Sequence, residues 1–241
     1  MTLFMLVHGA WQGAWCWESV AALLRGEGHD VLTPTLTGSG DRSEALSPAV
    51  TLTDHVADVV SELESRNARD VVLVGHSYSG MVITGVAERA VDRLSALVFV
   101  DAFYPDDGES ALDQMSPPAQ QMWRRHAQDH GDGWLLPPTD GLLDLWGIHD
   151  PSLRAWVRPR LTNWSLNCFT SPVQAPLMRR SELPRRYVAG DAEGYPAKTT
   201  FAPLADRAAA DGCTVNRLPT GHDVNLEAPR ELTDLILTSP S

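Results

Sequence analysis

Short apolar runs alternate along the chain with stretches of helical periodicity. The runs "LFMLV" (3–7), "DVLTP" (30–34), "DVVLV" (70–74), "SALVFVD" (95–101), "RRYVA" (185–189) and "CTVNRLP" (213–219) are mostly apolar rather than alternating. That pattern predicts strands buried on both faces of a parallel sheet. Helical patterns lie between them. "WESVAALLRGEG" (17–28) ends in glycines suited to a helix C-terminus. "TLTDHVADVVSELESRN" (51–67) puts Val56, Val59, Val60 and Leu63 on one face, with Thr53 or Asp54 as the expected N-cap. A helix is expected directly after "GHSYSG" (75–80), and "APRELTDLILTS" (228–239) carries Pro229 in its first turn. Strand, helix, strand in this order implies right-handed crossovers. The expected fold class is α/β: a doubly wound, mostly parallel sheet of about six strands.

The rhythm breaks between about Phe103 and Leu183. No convincing strand is visible there, prolines are frequent, and the segment holds Trp123, Trp134, Trp146, Trp156 and Trp164, five of the eight tryptophans. We read it as a small helical cap inserted over one edge of the sheet in a single domain spanning 1–241. At 241 residues the chain is ample to bury a large core.

Charge narrows the partners. A formal net charge of −12 repels phosphate backbones and anionic bilayers, so neither nucleic acid nor a membrane surface is expected. The arginine pairs at 124–125, 179–180 and 185–186 read as solvated or salt-bridged surface. Cys16, Cys168 and Cys213 are odd in number and far apart, with no metal-ligand spacing and no disulfide framework. A reducing compartment fits. The opening "MTLFMLVHGAW" lacks a basic n-region and is too short in apolar residues for a signal peptide or a span, so a cytoplasmic location is expected. A homodimer is possible.

"DVVLVGHSYSGMVITGVAERA" (70–90) places Ser77 where a strand becomes a helix. A sharp turn of this kind strains its central residue and exposes that side chain above the sheet. Strand and helix backbones approach closely, so the positions two before and two after must be small. Gly75 satisfies the first, and Ser79 stands where a second glycine is usual. Ser77 is the candidate nucleophile, and the helix that follows aims its positive dipole end at the reaction centre. A serine hydroxyl needs a base. Among eight histidines, His222 in "LPTGHDVNLEAP" lies past the last strand, on a loop at the same sheet edge. His76, adjacent to Ser77, is better explained by packing. The loop after "RRYVAG" offers Asp191 and Glu193 as the orienting acid, and Asp101 in "VFVDAF" is a third option. Oxyanion donors are expected from the backbone amides of Tyr78, following the nucleophile, and Ala10, in "VHGAWQGAW" after the first strand. Trp11 beside that loop is a candidate substrate contact. A nucleotide-binding turn at Gly9–Gly13 is disfavoured, because G-x-G-x-x-G and a P-loop lysine are both lacking.

These motifs resemble those of the α/β-hydrolases, in the compact branch that includes plant methylesterases, hydroxynitrile lyases and bacterial relatives. The resemblance is carried by "LVHGAWQGAWCWESVAALLRGEGHDVLTPTLTGSGDR", "GHSYSG", "LVFVDAFYPDDGES" and "GHDVNLEAP", and is weakest between about 115 and 170. It implies Ser77 as nucleophile, His222 as base and the Ala10 and Tyr78 amides as oxyanion hole, with no cofactor and no metal. The chain order Ser, acid, His favours Glu193, three residues after Gly190. A loop one residue shorter before Pro196 keeps Asp191 open. The lyases of that branch place a Thr and a Lys where Gly9 and Asp223 stand here, and an anion leaving beside Asp223 would be repelled. The implied function is hydrolysis of a small hydrophobic or aromatic carboxylic ester through an acyl-enzyme. Two alternatives remain: a non-hydrolytic lyase or cyclase on the same fold, and a ligand-binding protein with a vestigial triad.

Overall fold

A computed structural model describes residues 1–176 and 182–238. Arg179 and Arg180, one of the arginine pairs, lie outside the described residues, as does Ser239 at the end of the last helical stretch. The strands are β1 (Leu3–Val7), β2 (Asp30–Leu32), β3 (Val71–His76), β4 (Leu94–Val100), β5 (Leu135–Leu136), β6 (Trp164–Ser165), β7 (Arg185–Gly190) and β8 (Thr214–Leu218). Six of them form one sheet in the order β2-β1-β3-β4-β7-β8, with every pairing parallel. The expected α/β class and strand number hold.

The α-helices are α1 (Glu18–Gly26), α2 (Leu52–Ser65), α3 (Ser79–Ala90), α4 (Pro117–His130), α5 (Asp140–Trp146), α6 (Pro151–Val157), α7 (Leu166–Thr170), α8 (Lys198–Ala210), α9 (Val224–Glu227) and α10 (Pro229–Leu237). Two apolar cores flank the sheet. Val72, Val74, Val98 and Val188 face α1 and α10, while Leu73, Leu97, Phe99 and Tyr187 face α2, α3 and α8. Successive strand residues thus enter opposite cores, which explains why β3 and β4 read as unbroken apolar runs. Each fully buried Val or Leu stabilises this arrangement by about 1.5–3 kcal/mol relative to exposure.

Several local expectations are corrected. The N-cap of α2 is Thr51, not Thr53 or Asp54. Asp54 is the third helical residue, and its carboxylate accepts from the Thr51 amide at 2.8 Å and hydroxyl at 2.9 Å. The segment between β4 and β7 does contain strands, since β5 and β6 pair antiparallel over two residues each. Two residues are too few to show a period. At the sheet edge β8 is partly solvated, so its expected burial on both faces does not hold. Of the pair 185–186, Arg185 is salt-bridged to Asp211 at 2.7 Å as expected, whereas Arg186 is buried and bonds Asn216 and the Thr238 carbonyl. Among the described residues no helix is long and apolar enough to cross a membrane.

Candidate active site

Ser77 sits between β3 and α3 with φ of 55°, a left-handed conformation that few non-glycine residues adopt. Its neighbours over-determine it. The Ser77 amide donates to the Val100 carbonyl at 3.1 Å, and the Phe103 amide donates to the Ser77 carbonyl at 3.0 Å. A Cβ at Gly75 would fall 2.6 Å from the Ser79 carbonyl oxygen, and one at Gly80 would run into the Phe103 carbonyl oxygen. Both glycines are therefore required by close backbone approach. Ser79 tolerates its position because its hydroxyl turns away and donates to the carbonyl of His8 at the end of β1. That bond ties the nucleophile's helix to the loop after β1.

His222 reaches the same edge on the loop after β8. Its amide donates to the Trp146 carbonyl at 2.8 Å, and its ring stacks on Phe201 at 4.4 Å. Nε2 lies 2.8 Å from Ser77 Oγ, and Nδ1 lies 2.7 Å from an oxygen of Asp101. To accept the serine proton, Nε2 must be bare, so the ring proton sits on Nδ1 and is donated to Asp101. Asp101 follows β4 with φ of 39° and is fully buried. Its carboxylate takes two further donors, the Gly190 amide at 3.0 Å and the Tyr195 hydroxyl at 3.0 Å. Burial works against its charged form, whereas those donors favour it. Burial also lowers the basicity of His222, keeping the resting imidazole neutral.

The structure therefore brings Ser77 and His222 together and corrects the expected acid. Glu193 is exposed at the surface, and Asp191 pairs with Lys198 at 2.7 Å. The reason is the path of the loop. The Asp191 and Ala192 amides bond the Leu218 and Thr220 carbonyls, and the chain then turns at Gly194 with φ of 81°. The side chain this turn sends inward is Tyr195. The signal in the sequence was Asp101 itself, an ionisable group closing an otherwise apolar buried strand. Nothing in the spacing singled out Tyr195.

Ala10 and Tyr78 are buried, and among the described residues neither amide donates to a protein acceptor. Gly9 leaves room for this arrangement, as a Cβ there would lie 2.9 Å from that of Ser77. Trp11, at φ of 62°, is fixed by its indole donating to the Leu136 carbonyl at 2.8 Å. Above these groups lies a cavity of about 300 Å³ with Ser77 and His222 in its wall. Trp11, Phe103, Trp123, Trp146, Phe169 and Phe201 supply its aromatic lining, and Thr199 and Thr200 add hydroxyls. Among the described residues no charged side chain lines it. Asp223 is absent from this wall: its carboxylate bonds Gln12 behind the site, so it does not stand beside the position of a leaving group as the sequence suggests.

A strained serine at a strand-to-helix turn, with a histidine and a buried aspartate in line, sits on a parallel sheet of order β2-β1-β3-β4-β7-β8. A model of the alpha/beta hydrolase family matches residues 4–235. The chain belongs to that family. This α/β-hydrolase is 38% identical over 242 residues to a carbendazim hydrolyzing esterase from Nocardioides sp. (strain SG-4G), covering 97% of this chain and 98% of the relative. Methylesterase 2 from Arabidopsis thaliana is 38% identical over 109 residues, 44% of this chain and 41% of its own length. An extracellular α/β-hydrolase from a Paenibacillus species shares the fold with a TM-score of 0.87 at 22% identity, covering 100% of this chain and 99% of that one.

Proposed function

We propose that this α/β-hydrolase cleaves a small, uncharged, hydrophobic or aromatic carboxylic ester through an acyl-enzyme. The chain is an ester-bond hydrolase by family and by its near full-length similarity to an esterase. The observation that supports the finer reading is the 2.8 Å contact of Ser77 Oγ with His222 Nε2 in the wall of an aromatic cavity. In this reading Ser77 Oγ attacks the ester carbonyl while His222 Nε2 takes its proton. The carbonyl oxygen, now negative, receives the Ala10 and Tyr78 amides, each typically worth ~10²–10³ in rate. His222 then returns the proton to the departing alcohol oxygen, leaving the acyl group on Ser77. Water then attacks the acyl carbon as His222 takes its proton, and His222 passes that proton to Ser77 Oγ as the acyl–Oγ bond breaks and the acid departs. Asp101 holds the imidazole in the tautomer this cycle needs and balances the imidazolium formed in each half.

The cavity lining supports the substrate class. A carboxylate or ammonium on the substrate would lose water without gaining an opposite charge there, whereas aromatic faces suit an apolar acyl or alcohol group. Replacing Ser77 with Ala should lower kcat on short aryl esters by at least ~10³. Rapid quenching of the parent should trap an acylated Ser77 peptide detectable by mass. Turnover within a few-fold of the parent would contradict the assignment. Activity that survives Ser77→Ala but not His222→Ala would point instead to a proton-transfer reaction without an acyl-enzyme.

A further inference from the structure

Behind His222 lies a second line of polar groups that ester cleavage does not use. His76, the residue before the proposed nucleophile, has Nε2 3.0 Å from the His222 carbonyl oxygen and Nδ1 3.2 Å from Gln12 Oε1. Gln12 Nε2 in turn contacts Asp223 Oδ1. His76, Gln12 and Asp223 are all buried, and the His76 and His222 rings lie 4.8 Å apart.

Donor and acceptor bookkeeping allows this line only two states. A carbonyl oxygen only accepts, so His76 Nε2 must carry a proton. If the ring is neutral, Nδ1 is bare and accepts from the Gln12 NH₂. The Gln12 carbonyl then faces Asp223, which must carry a proton to donate. If instead Asp223 is ionised, Gln12 presents NH₂ to it and its carbonyl to Nδ1, and His76 must be an imidazolium. The amide as placed is that of the second state, and the first is reached by a half-turn of Gln12 and the shift of one proton.

The surroundings decide between them. Asp223 Oδ2 is buried and, among the described residues, has no hydrogen-bond partner. The ionisable groups facing Asp223 are Cys16, Glu227 and Asp101, none of which brings positive charge. The ring of His76 packs against Trp17 and the His222 ring, His8 is near enough to interact electrostatically, and among the described residues no carboxylate is in contact with it. An ion pair split across Gln12 would leave two charges out of water with one oxygen unsatisfied. Asp101 shows the contrast, since three donors converge on its carboxylate.

We infer that Asp223 is a neutral carboxylic acid at neutral pH and heads a one-way hydrogen-bond chain, Asp223 to Gln12 to His76 to the His222 carbonyl, that positions the base. Burial, which disfavours the charged form of both ends, acts in the same sense. The consequence for turnover is electrostatic. A cation at His76 would repel the imidazolium that forms on His222, whereas a neutral donor holds the His222 peptide without opposing it. Asp223, Gln12 and His76 are positioning residues. Their bearing on rate rests on His222 acting as base, but the protonation pattern does not.

Nitrogen NMR of ¹⁵N-histidine-labelled protein at neutral pH tests the pattern without any substitution. The His76 ring, recognised by its through-space contact with Trp17, should show one protonated and one bare nitrogen. Two protonated nitrogens would overturn the inference. Kinetics test the positioning. Asp223→Asn, whose amide can donate to Gln12 as the neutral acid does, should restore most of the kcat lost in Asp223→Leu. That loss should be about tenfold in kcat with KM little changed. Equal losses in the two variants, or a larger loss in Asn than in Leu, would overturn the positioning role.

Discussion

Trp11, Ser77 and Asp101 all hold left-handed backbone near one end of the sheet. Such conformations cost of order 1–3 kcal/mol each and persist where neighbours over-determine them. At Ser77 the neighbours are the Val100 and Phe103 backbone bonds. At Asp101 they are the Val188 carbonyl, which accepts from the Asp101 amide at 2.7 Å, together with the donors on its carboxylate. Tyr195 is the donor whose removal is most informative. Its hydroxyl favours the ionised carboxylate, so Tyr195→Phe should raise the pH at which Asp101 takes a proton. The acid limb of kcat/KM should then move to higher pH, with kcat reduced several-fold at neutrality. An unmoved acid limb would show that the phenol only fills space. Ser77 and His222 were legible because each sits in a local pattern, a strand-turn-helix and a glycine-preceded loop. The acid is legible only as one of three options that include Asp101, because a left-handed turn at Gly194 points Tyr195, and not Asp191 or Glu193, inward. Chain spacing does not record that turn.

At the scale of elements, the meeting of β3, α3 and the strand end after β4 is fixed by close approach at glycines as well as by apolar contact. Gly80→Ala would drive a methyl into the Phe103 carbonyl. We expect a loss of about 3 kcal/mol, near the upper end of overpacking costs, visible as a lowered denaturant midpoint with unchanged slope. A variant as stable as the parent would mean that α3 shifts freely against β4. Ser79→Ala should act differently, leaving the buried His8 carbonyl without its hydroxyl donor at a cost of roughly 1–3 kcal/mol and loosening the loop that carries Ala10. The inner strands were readable because burial on both faces leaves a continuous apolar run. The edge strand β8 is recognisable despite its solvated residues, but its partial exposure is not foreseen. The small β5–β6 pair was invisible, since it is held by contacts such as the Trp11 indole on the Leu136 carbonyl rather than by any period of its own.

For the molecule as a whole, buried ionisable groups set the response to acid. His8, His55, His76 and His222 all have their basicity lowered by burial, His8 to about 4 and His222 to about 3. As pH falls through about 6.5, the unfolded chain protonates these imidazoles before the folded one does, so stability falls with pH. Asp113 and Asp191, lowered by hydrogen bonds from Ser110 and Lys198, add to that loss nearer pH 4. Asp101, Asp223 and Glu227 are raised by burial and act in the opposite sense, with the folded state taking protons first. The imidazoles outnumber them, so the melting temperature should decline steadily from neutral pH to about pH 4. A flat profile over that range would mean that the carboxyls compensate fully. The central claim is that one buried aspartate at the end of β4, and not the exposed loop carboxylate, orients the base above Ser77. Its most direct test is kcat on a single aryl ester for Asp101→Asn beside Glu193→Gln. The geometry predicts a loss of about 10³–10⁴ in the first and a value within a few-fold of the parent in the second. The reverse ranking would contradict it.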